Sequence, residues 1–171
     1  MDVHQDLAPM TVPGDVALEL NVEQDLRVPK REQPAEAVFV YAPGRRQSCL
    51  FYLNFYSARR QGEESLAEYL NSMQSFFPLR DKASNEFFIV HVNQILYVCE
   101  KPAPERGIGQ ALNLHLLGGA PLRVFTYEPR LAWRSRPLDL LNDAERFATF
   151  ALGPSERIHV NKSHIERVEV L

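Results

Sequence analysis

The sequence is poor in cysteine, the residue on which many small structural sites depend. Its 171 residues include two cysteines, Cys49 and Cys99, and each lies in a stretch of apolar and aromatic residues. Two isolated cysteines supply too few ligands for a structural zinc site, and such surroundings favour buried, reduced thiols. A disulfide between them stays open, because spacing along the chain does not give a distance in space.

Long apolar runs and an excess of basic charge are absent as well. The formal net charge at pH 7 is -3, which predicts no general attraction to nucleic acid or anionic lipid. Residues 1–10 lack the basic start and apolar core of a secretory signal, and no apolar run approaches the about 20 residues that a membrane-spanning helix requires. We therefore expect a soluble, cytoplasmic protein with no membrane partner, for which nucleic acid is a disfavoured ligand.

The sequence also lacks the short motifs of common enzyme sites. No Gly-x-Ser-x-Gly elbow occurs, and Gly107-Ile-Gly109 is followed by neither a third glycine nor a P-loop lysine. His159 and His164 do not have the i, i+4 spacing of a helical zinc pair, and no cysteine cluster accompanies them. These absences predict a protein that is not an enzyme and that holds neither a metal nor a cofactor.

The residues that are present predict β-strands. Apolar and polar residues alternate over residues 16–22, and residues 37–41 and 48–56 are rich in Val, Phe, Tyr and Leu on either side of a turn-like Ala-Pro-Gly-Arg-Arg. Strand composition returns over residues 76–79 and 86–98. The pattern predicts a half-buried strand, a hairpin and a further strand pair.

One short helix is predicted between the hairpin and the later strands. Ser65 precedes an apolar spacing over residues 66–70, and Glu68 stands three residues after the serine. A serine at the first position with a glutamate three residues later is a capping box. We expect the helix to begin after Ser65.

The same order of elements recurs after a boundary rich in proline and glycine at residues 101–109. A hairpin, a helical turn, an aromatic strand and a final strand pair are predicted a second time. The matches that align the two halves are Leu70-Asn71 with Leu141-Asn142, Phe76 with Phe147, His91-Val92-Asn93 with His159-Val160-Asn161, and Ile95 and Val98 with Ile165 and Val168. Their collinear order indicates a duplication.

The predicted fold is mainly β, with two tandem five-stranded barrel-like domains that each carry one short helical turn. The segments are an N-terminal extension with one strand (1–35), of which residues 28–35 are a linker, a first domain (36–100), a linker (101–110) and a second domain (111–171). The strand order also resembles that of Sm-like and SH3-like barrels, which is an analogy of fold.

The repeated polar residues are interpreted as structural. Asn71 and Asn142 are placed to end the helical turns in the left-handed conformation, and Asn93 and Asn161 lie where strands turn. The alignment puts His91 and His159 in equivalent positions, which predicts a shared structural role; a pH-sensitive role stays open.

The second half resembles an uncharacterised bacterial family of small domains. The family pattern runs Arg-Leu-Ser-Asp-Phe-Leu-Asn, then Arg-Phe, then Val-Asn-Lys-x-His-Ile, and the matching segments here are Arg136-Pro-Leu-Asp-Leu-Leu-Asn142, Arg146-Phe147 and Val160-Asn-Lys-Ser-His-Ile165. Of this family pattern, the first half keeps only the Leu-Asn and Val-Asn pairs. Since the family has no assigned chemistry, the resemblance implies an architecture and no activity.

Arginines cluster beside both hairpins, and they are interpreted mainly as solvated charges. The clusters are Arg45, Arg46, Arg59 and Arg60, and Arg123, Arg130, Arg134 and Arg136. One subset resembles the cyclic-di-GMP site of PilZ domains, in which an Arg-x-x-x-Arg motif clamps phosphates and an Asn-x-Ser strand contacts the base. That resemblance implies Arg130, Arg134, Asn161 and Ser163 as ligand contacts, although Glu166 replaces the glycine of the pattern and opposes phosphate binding.

The sequence thus favours a non-enzymatic protein-interaction or scaffold module. Exposed sheet edges are natural places for a protein partner or a second copy of the chain to add a strand. Two alternatives are PilZ-like nucleotide sensing and RNA binding by an Sm-like barrel, the latter through Tyr52, Phe55 and Tyr56 near the arginines.

Overall fold

The computed structural model describes residues 29–101, 107–127 and 136–171. The predicted strand at residues 16–22 lies outside these ranges, as do Arg130 and Arg134. The described strands are β1 (Lys30–Phe39), β2 (Arg46–Asn54), β3 (Phe76–Asp81), β4 (Phe87–His91), β5 (Ile95–Glu100), β6 (Ile108–Leu116), β7 (Leu122–Tyr127), β8 (Phe147–Gly153), β9 (Glu156–Asn161) and β10 (Ile165–Val170). The described helices are α1 (Leu66–Leu70) and α2 (Pro137–Leu141), and 3₁₀ turns span Val92–Gln94 and Lys162–His164. A mainly β fold with one short helix in each half is confirmed.

Helix α1 begins where the capping box predicts. The Ser65 hydroxyl accepts a hydrogen bond from the Glu68 backbone N–H at 3.3 Å, and a Glu68 carboxylate oxygen accepts from the Ser65 N–H at 2.8 Å. The helix buries three of its five residues. In contrast, α2 begins with a proline, has no side-chain cap and buries none of its residues.

We expect Ser65→Ala to lower the free energy of unfolding by about 1 kcal/mol, because one helix N–H loses its side-chain acceptor. Urea denaturation followed by circular dichroism measures the change. The matched control is Arg136→Ala at the start of α2, where no side-chain cap exists to be lost. Equal effects of the two substitutions would contradict the capping interpretation.

The ten described strands form one open antiparallel sheet. Its order is β10-β6-β7-β8-β9-β5-β1-β2-β3-β4. The first half contributes β5-β1-β2-β3-β4 and the second half contributes β10-β6-β7-β8-β9, which is the same order. Pairing of β5 with β9 joins the halves into a single sheet, a contact that the sequence did not predict.

The pairing register repeats between the halves together with its irregularities. Phe39 of β1 faces Ile95 of β5, and the register shifts next to this pair. Leu116 of β6 faces Ile165 of β10, with a shift in the same place. Shared strand order and a shared bulge support the duplication that the sequence indicated.

The predicted equivalence of His91 and His159 is wrong. Phe76 faces His91 and Phe147 faces Asn161, and the side chains of His91 and Asn161 each cap the 3₁₀ turn that follows. His91 therefore corresponds to Asn161. Equivalent positions are defined by the backbone turn and the strand register. Relative to the turn, the segment His159-Val160-Asn161 lies two residues earlier than His91-Val92-Asn93.

The predicted linker at residues 28–35 is wrong from Lys30 onwards, because β1 begins there. Pro34 faces Leu50 on β2, whereas the pairing of β1 with β5 starts at Glu36. Proline is tolerated in a strand where one of its two edges forms no backbone hydrogen bonds to a neighbouring strand. The second boundary is also shorter than predicted, since β6 begins at Ile108.

Two hydrophobic cores share the central strand β5. Ile95 and Val98 belong to the first core, with β1–β4 and α1, while Leu96 and Cys99 belong to the second core, with β6–β10. Every residue of β5 from Ile95 to Cys99 is buried. Such two-sided burial explains why this strand is apolar without alternation.

The two cysteines are buried and free, as predicted. Cys49 faces Ala35 of β1 and lies in the first core, while Cys99 faces Glu36 of β1 and lies in the second. Burial raises the pKa of each thiol to about 12. Both side chains are therefore neutral packing groups at physiological pH.

Candidate functional site

The contact between the two halves, here called the joint, has a largely buried polar cluster at one end. A Glu100 carboxylate oxygen on β5 accepts from Arg157 Nη1 at 2.9 Å and lies 3.1 Å from His159 Nε2, both on β9. The other imidazole nitrogen lies 3.0 Å from the Thr149 hydroxyl on β8. His159 has no solvent exposure. Burial raises the pKa of Glu100, but the hydrogen bond from His159 and the pairing with Arg157 outweigh it and lower that pKa below its ordinary value.

Phe147 crosses the joint and packs in the other half's core. The ring is fully buried in the first core, although Phe147 belongs to β8 of the second half. The Asn71 side chain holds its backbone: Asn71 Oδ1 accepts from the Phe147 N–H at 2.7 Å, and Asn71 Nδ2 donates to the Phe147 carbonyl at 3.1 Å. Asn71 thereby satisfies both backbone groups of one buried residue.

Asn71 and Asn142 end their helices as predicted, but the predicted left-handed conformation is wrong. Their φ angles are −93° and −96°. The N–H of Asn71 donates to the carbonyl of Ala67, which continues the helical pattern. No left-handed residue is needed, because the chain leaves each helix directly after this bond.

Asn161 is completely buried at the joint and uses both ends of its amide. Its Nδ2 donates to the carbonyls of Val92 and Ile95 in the first half, at 3.2 and 3.1 Å. Its Oδ1 accepts from the backbone N–H and the hydroxyl of Ser163, at 3.2 and 2.8 Å. The position is a turn, as predicted, and it also connects the halves.

Two more of the predicted structural residues lie at the 3₁₀ turn of the first half, where His91 ends β4 and caps the turn that contains Asn93. His91 Nδ1 accepts from the Asn93 N–H at 3.2 Å, and the Asn93 carbonyl accepts from His164 Nε2 at 2.8 Å. His91 and Asn93 belong to the first half and His164 to the second. The two turns therefore also meet at the joint.

The structure describes two of the four residues implied by the PilZ resemblance, Asn161 and Ser163, and brings them together. Asn161 and Ser163 bond to each other, and the Asn161 amide is already used within the chain. Arg130 and Arg134 lie outside the described residues. We expect cyclic-di-GMP to leave the melting temperature unchanged in a thermal-shift titration. A saturable rise that disappears in Arg130→Ala and Arg134→Ala would contradict this expectation.

Three arginines of the predicted first cluster are paired with carboxylates. Arg46 lies 3.1 Å from Glu36, and Arg60 lies 3.0 Å from Glu68. Arg59 contacts a second-half carboxylate, at 3.4 Å from Glu145. These pairs support the interpretation of the arginines as surface charges of the fold.

The two end strands of the sheet expose large apolar side chains. β4 pairs with β3, and β10 pairs with β6; no described strand covers the outer side of either. Phe76, Phe87 and Ile89 are 58%, 48% and 58% exposed at the β4 end. Val170 is 58% exposed on β10.

Sequence reasoning missed this exposure, although one signal was present. Residues 87–90 read Phe-Phe-Ile-Val, an unbroken apolar run, and such a run is typical of a strand that is buried on both sides. Within the described chain one face of β4 is covered, since Val90 is buried and Phe88 is half-buried, whereas Phe87 and Ile89 on the other face are exposed. The pattern therefore points to a missing neighbour at this edge, here called the β4 edge (Phe76, Phe87 and Ile89).

The described residues contain neither a metal-binding cluster nor a membrane-spanning helix. In residues 29–101, 107–127 and 136–171, no group of three or more His, Cys, Asp or Glu side chains is placed to hold a metal ion. No helix in those ranges is long and apolar enough to cross a membrane. No protein family, no curated protein and no solved structure matches the chain.

Proposed function

We propose that the protein is a non-enzymatic interaction or scaffold module that binds a protein partner by strand addition at the β4 edge. The observation that carries the proposal is the exposure of Phe87 and Ile89 within the apolar run at the end of the sheet. An outer strand presents unpaired N–H and C=O groups, and a partner strand that pairs with them gains affinity from the backbone and specificity from alternate side chains.

The β4 edge lacks the features by which proteins normally protect such a strand. Lysine, proline and inward-pointing charges commonly prevent edge strands from pairing. Residues 87–90 contain none of these. Leaving Phe87 and Ile89 half exposed costs hydrophobic free energy that a partner strand would recover.

A groove beside β4 supplies room for a partner side chain. Its lining residues are Tyr41, Gln47, Glu86, Phe87 and Phe88, and it has a volume of about 450 Å³. Three aromatic rings and two polar side chains make it suited to an apolar or amphipathic side chain. A strand on β4 would run next to this groove.

We also propose that each half is a barrel-like unit of one duplicated domain, of the kind found in the uncharacterised bacterial family that the second half resembles. The protein is proposed to act in the cytoplasm. Support comes from the strand order, the bulge and the 3₁₀ turn that the halves share.

Site-specific photo-cross-linking in cells tests the proposed function. We expect benzoylphenylalanine at Phe87 to give discrete cross-linked products whose second component is identified by mass spectrometry. The control position is Tyr56, an exposed aromatic residue outside the strands. Products at Phe87 and none at Tyr56 support a binding edge, whereas no product at Phe87, or equal products at both positions, overturns it.

A further inference from the structure

We infer that the strand that adds to β4 is β10 of a second copy of this chain, so that copies associate head to tail. The inference rests on the proposed function of the β4 edge and names its partner. Its basis is the joint, which already shows how one half of this sheet pairs with the other.

The joint is heterologous, because it uses a different strand from each half. β5 of the first half pairs with β9 of the second. By the shared strand order, β9 corresponds to β4, and β5 corresponds to β10. The two strands left unpaired at the ends of the sheet are therefore the counterparts of the two strands that form the joint. A heterologous contact of this kind repeats from copy to copy.

Equivalent positions in these strands are offset by 70 residues. Ile95 and Ile165 show this for β5 and β10 in their matching pairs with β1 and β6, and His91 and Asn161 show it for β4 and β9. In the joint, Val98 faces His159. The counterparts are Val168 on β10 and Ile89 on β4. The same register applied between copies therefore places Val168 opposite Ile89.

The next pair along the joint strengthens the inference. Glu100 faces Arg157 and forms the largely buried ion pair described above. The counterparts are Val170 on β10 and Phe87 on β4. Both members of the charged pair are thus replaced by apolar residues, and both replacements are about half exposed in the single chain. A change on one side only would leave a buried charge without a partner, whereas the paired change makes an apolar contact.

Helix α2 lacks the cover that α1 receives from across the joint. Phe147 of the second half packs in the first core together with the three buried residues of α1. Its counterpart Phe76 is exposed, and α2 has no buried residue. Head-to-tail pairing would bring Phe76 of one copy towards α2 of the next, as Phe147 meets α1.

Two of the three charged residues of β10 face away from Val168 and Val170, and the third, Glu166, corresponds to Leu96, which lies outside the β5–β9 pairing. Arg167 and Glu169 alternate with Val168 and Val170, so they project from the other face of the strand. Arg167 lies 2.7 Å from Glu169, which in turn lies 3.1 Å from His115. These charges are satisfied within the chain and leave Val168 and Val170 for the neighbouring strand.

Light scattering of the full chain, combined with charge reversal at one predicted pair, tests the inference. We expect wild-type particles to be multiples of 19.6 kDa. Phe87→Arg and Val170→Glu each place an unpaired charge in the contact, so each should weaken association by about 30-fold or more. The double variant Phe87→Arg/Val170→Glu recreates the Glu100–Arg157 pair between copies and should restore association. Tyr56→Lys is the control and should leave association unchanged.

Mixing the single variants separates head-to-tail pairing from a two-fold dimer. In the mixture the unchanged β10 of Phe87→Arg meets the unchanged β4 of Val170→Glu, and the two substituted edges meet each other as in the double variant. The mixture should therefore associate although neither single variant does so alone. A two-fold dimer through β4 alone would be lost in Phe87→Arg, would persist in Val170→Glu and would not be rescued by the double variant; this result overturns the inference. A wild-type monomer that still cross-links to another protein at Phe87 also overturns it, while the proposed function stands.

Discussion

Phe147→Ala is expected to lower the free energy of unfolding by about 3–5 kcal/mol, because a fully buried ring is removed from the first core. Because Phe147 belongs to the second half and packs in the core of the first, the substitution weakens the contact between the halves. Total stability of a domain is about 5–15 kcal/mol, so the variant should lose a large part of it. Urea denaturation measures the change.

The duplication provides a matched control for this substitution. Phe76 has the same place in the strand register of the first half, but it is 58% exposed. In the single chain Phe76→Ala should change the free energy of unfolding by no more than about 0.5 kcal/mol, as for other exposed positions. Similar losses at Phe76 and Phe147 would show that Phe147 does not join the halves.

Glu100→Ala is expected to cost about 3–5 kcal/mol at pH 7, because it leaves the Arg157 guanidinium without its buried partner. The side chains of Glu100 and Arg157 are 10% and 15% exposed, so water replaces little of the lost interaction. Glu32→Ala removes an exposed partner of Arg80 and serves as the control, with an expected cost of about 1 kcal/mol or less.

The effect of Glu100→Ala should depend on pH. The folded-state pKa of Glu100 lies below its ordinary value, with His159 and Arg157 as the groups that bond to it. A carboxylate with a depressed folded pKa stabilises the fold above its unfolded pKa, about 4.3 for glutamate, and the stabilisation is lost as pH falls through the folded pKa. The difference between wild type and variant should therefore be complete at pH 7 and shrink in acid. A difference that stays constant down to acid unfolding would show that the carboxylate charge is not responsible.

Local features were predictable where neighbouring residues carry the cause. The capping box at Ser65 and Glu68 determines where α1 begins, and the composition and turn residues of the first hairpin indicate β2 and the last residues of β1. The duplication was also readable, since it depends on the order of motifs. These features need only interactions between residues close in the chain.

Predictions failed where the deciding neighbour is distant in sequence. The strand at Lys30 was taken for a linker, because its charges and Pro34 are accommodated by pairing with β2 on one side. His91 was aligned with His159 by shared letters, whereas its register with Phe76 makes Asn161 its counterpart.

The amino-acid sequence by itself determined a mainly β chain with two similar halves, each with one short helix, and two buried thiols. Hydrophobic pattern and turn chemistry act over a few residues, so the linear order of residues is sufficient for them. Only the tertiary structure decided that β5 and β9 join the halves into one sheet and that Phe147 and Asn161 cross the joint. It also decided that β4 and β10 remain at the ends. Strand pairing links residues far apart in the chain, and the partner of an edge is determined by geometry that no local pattern contains.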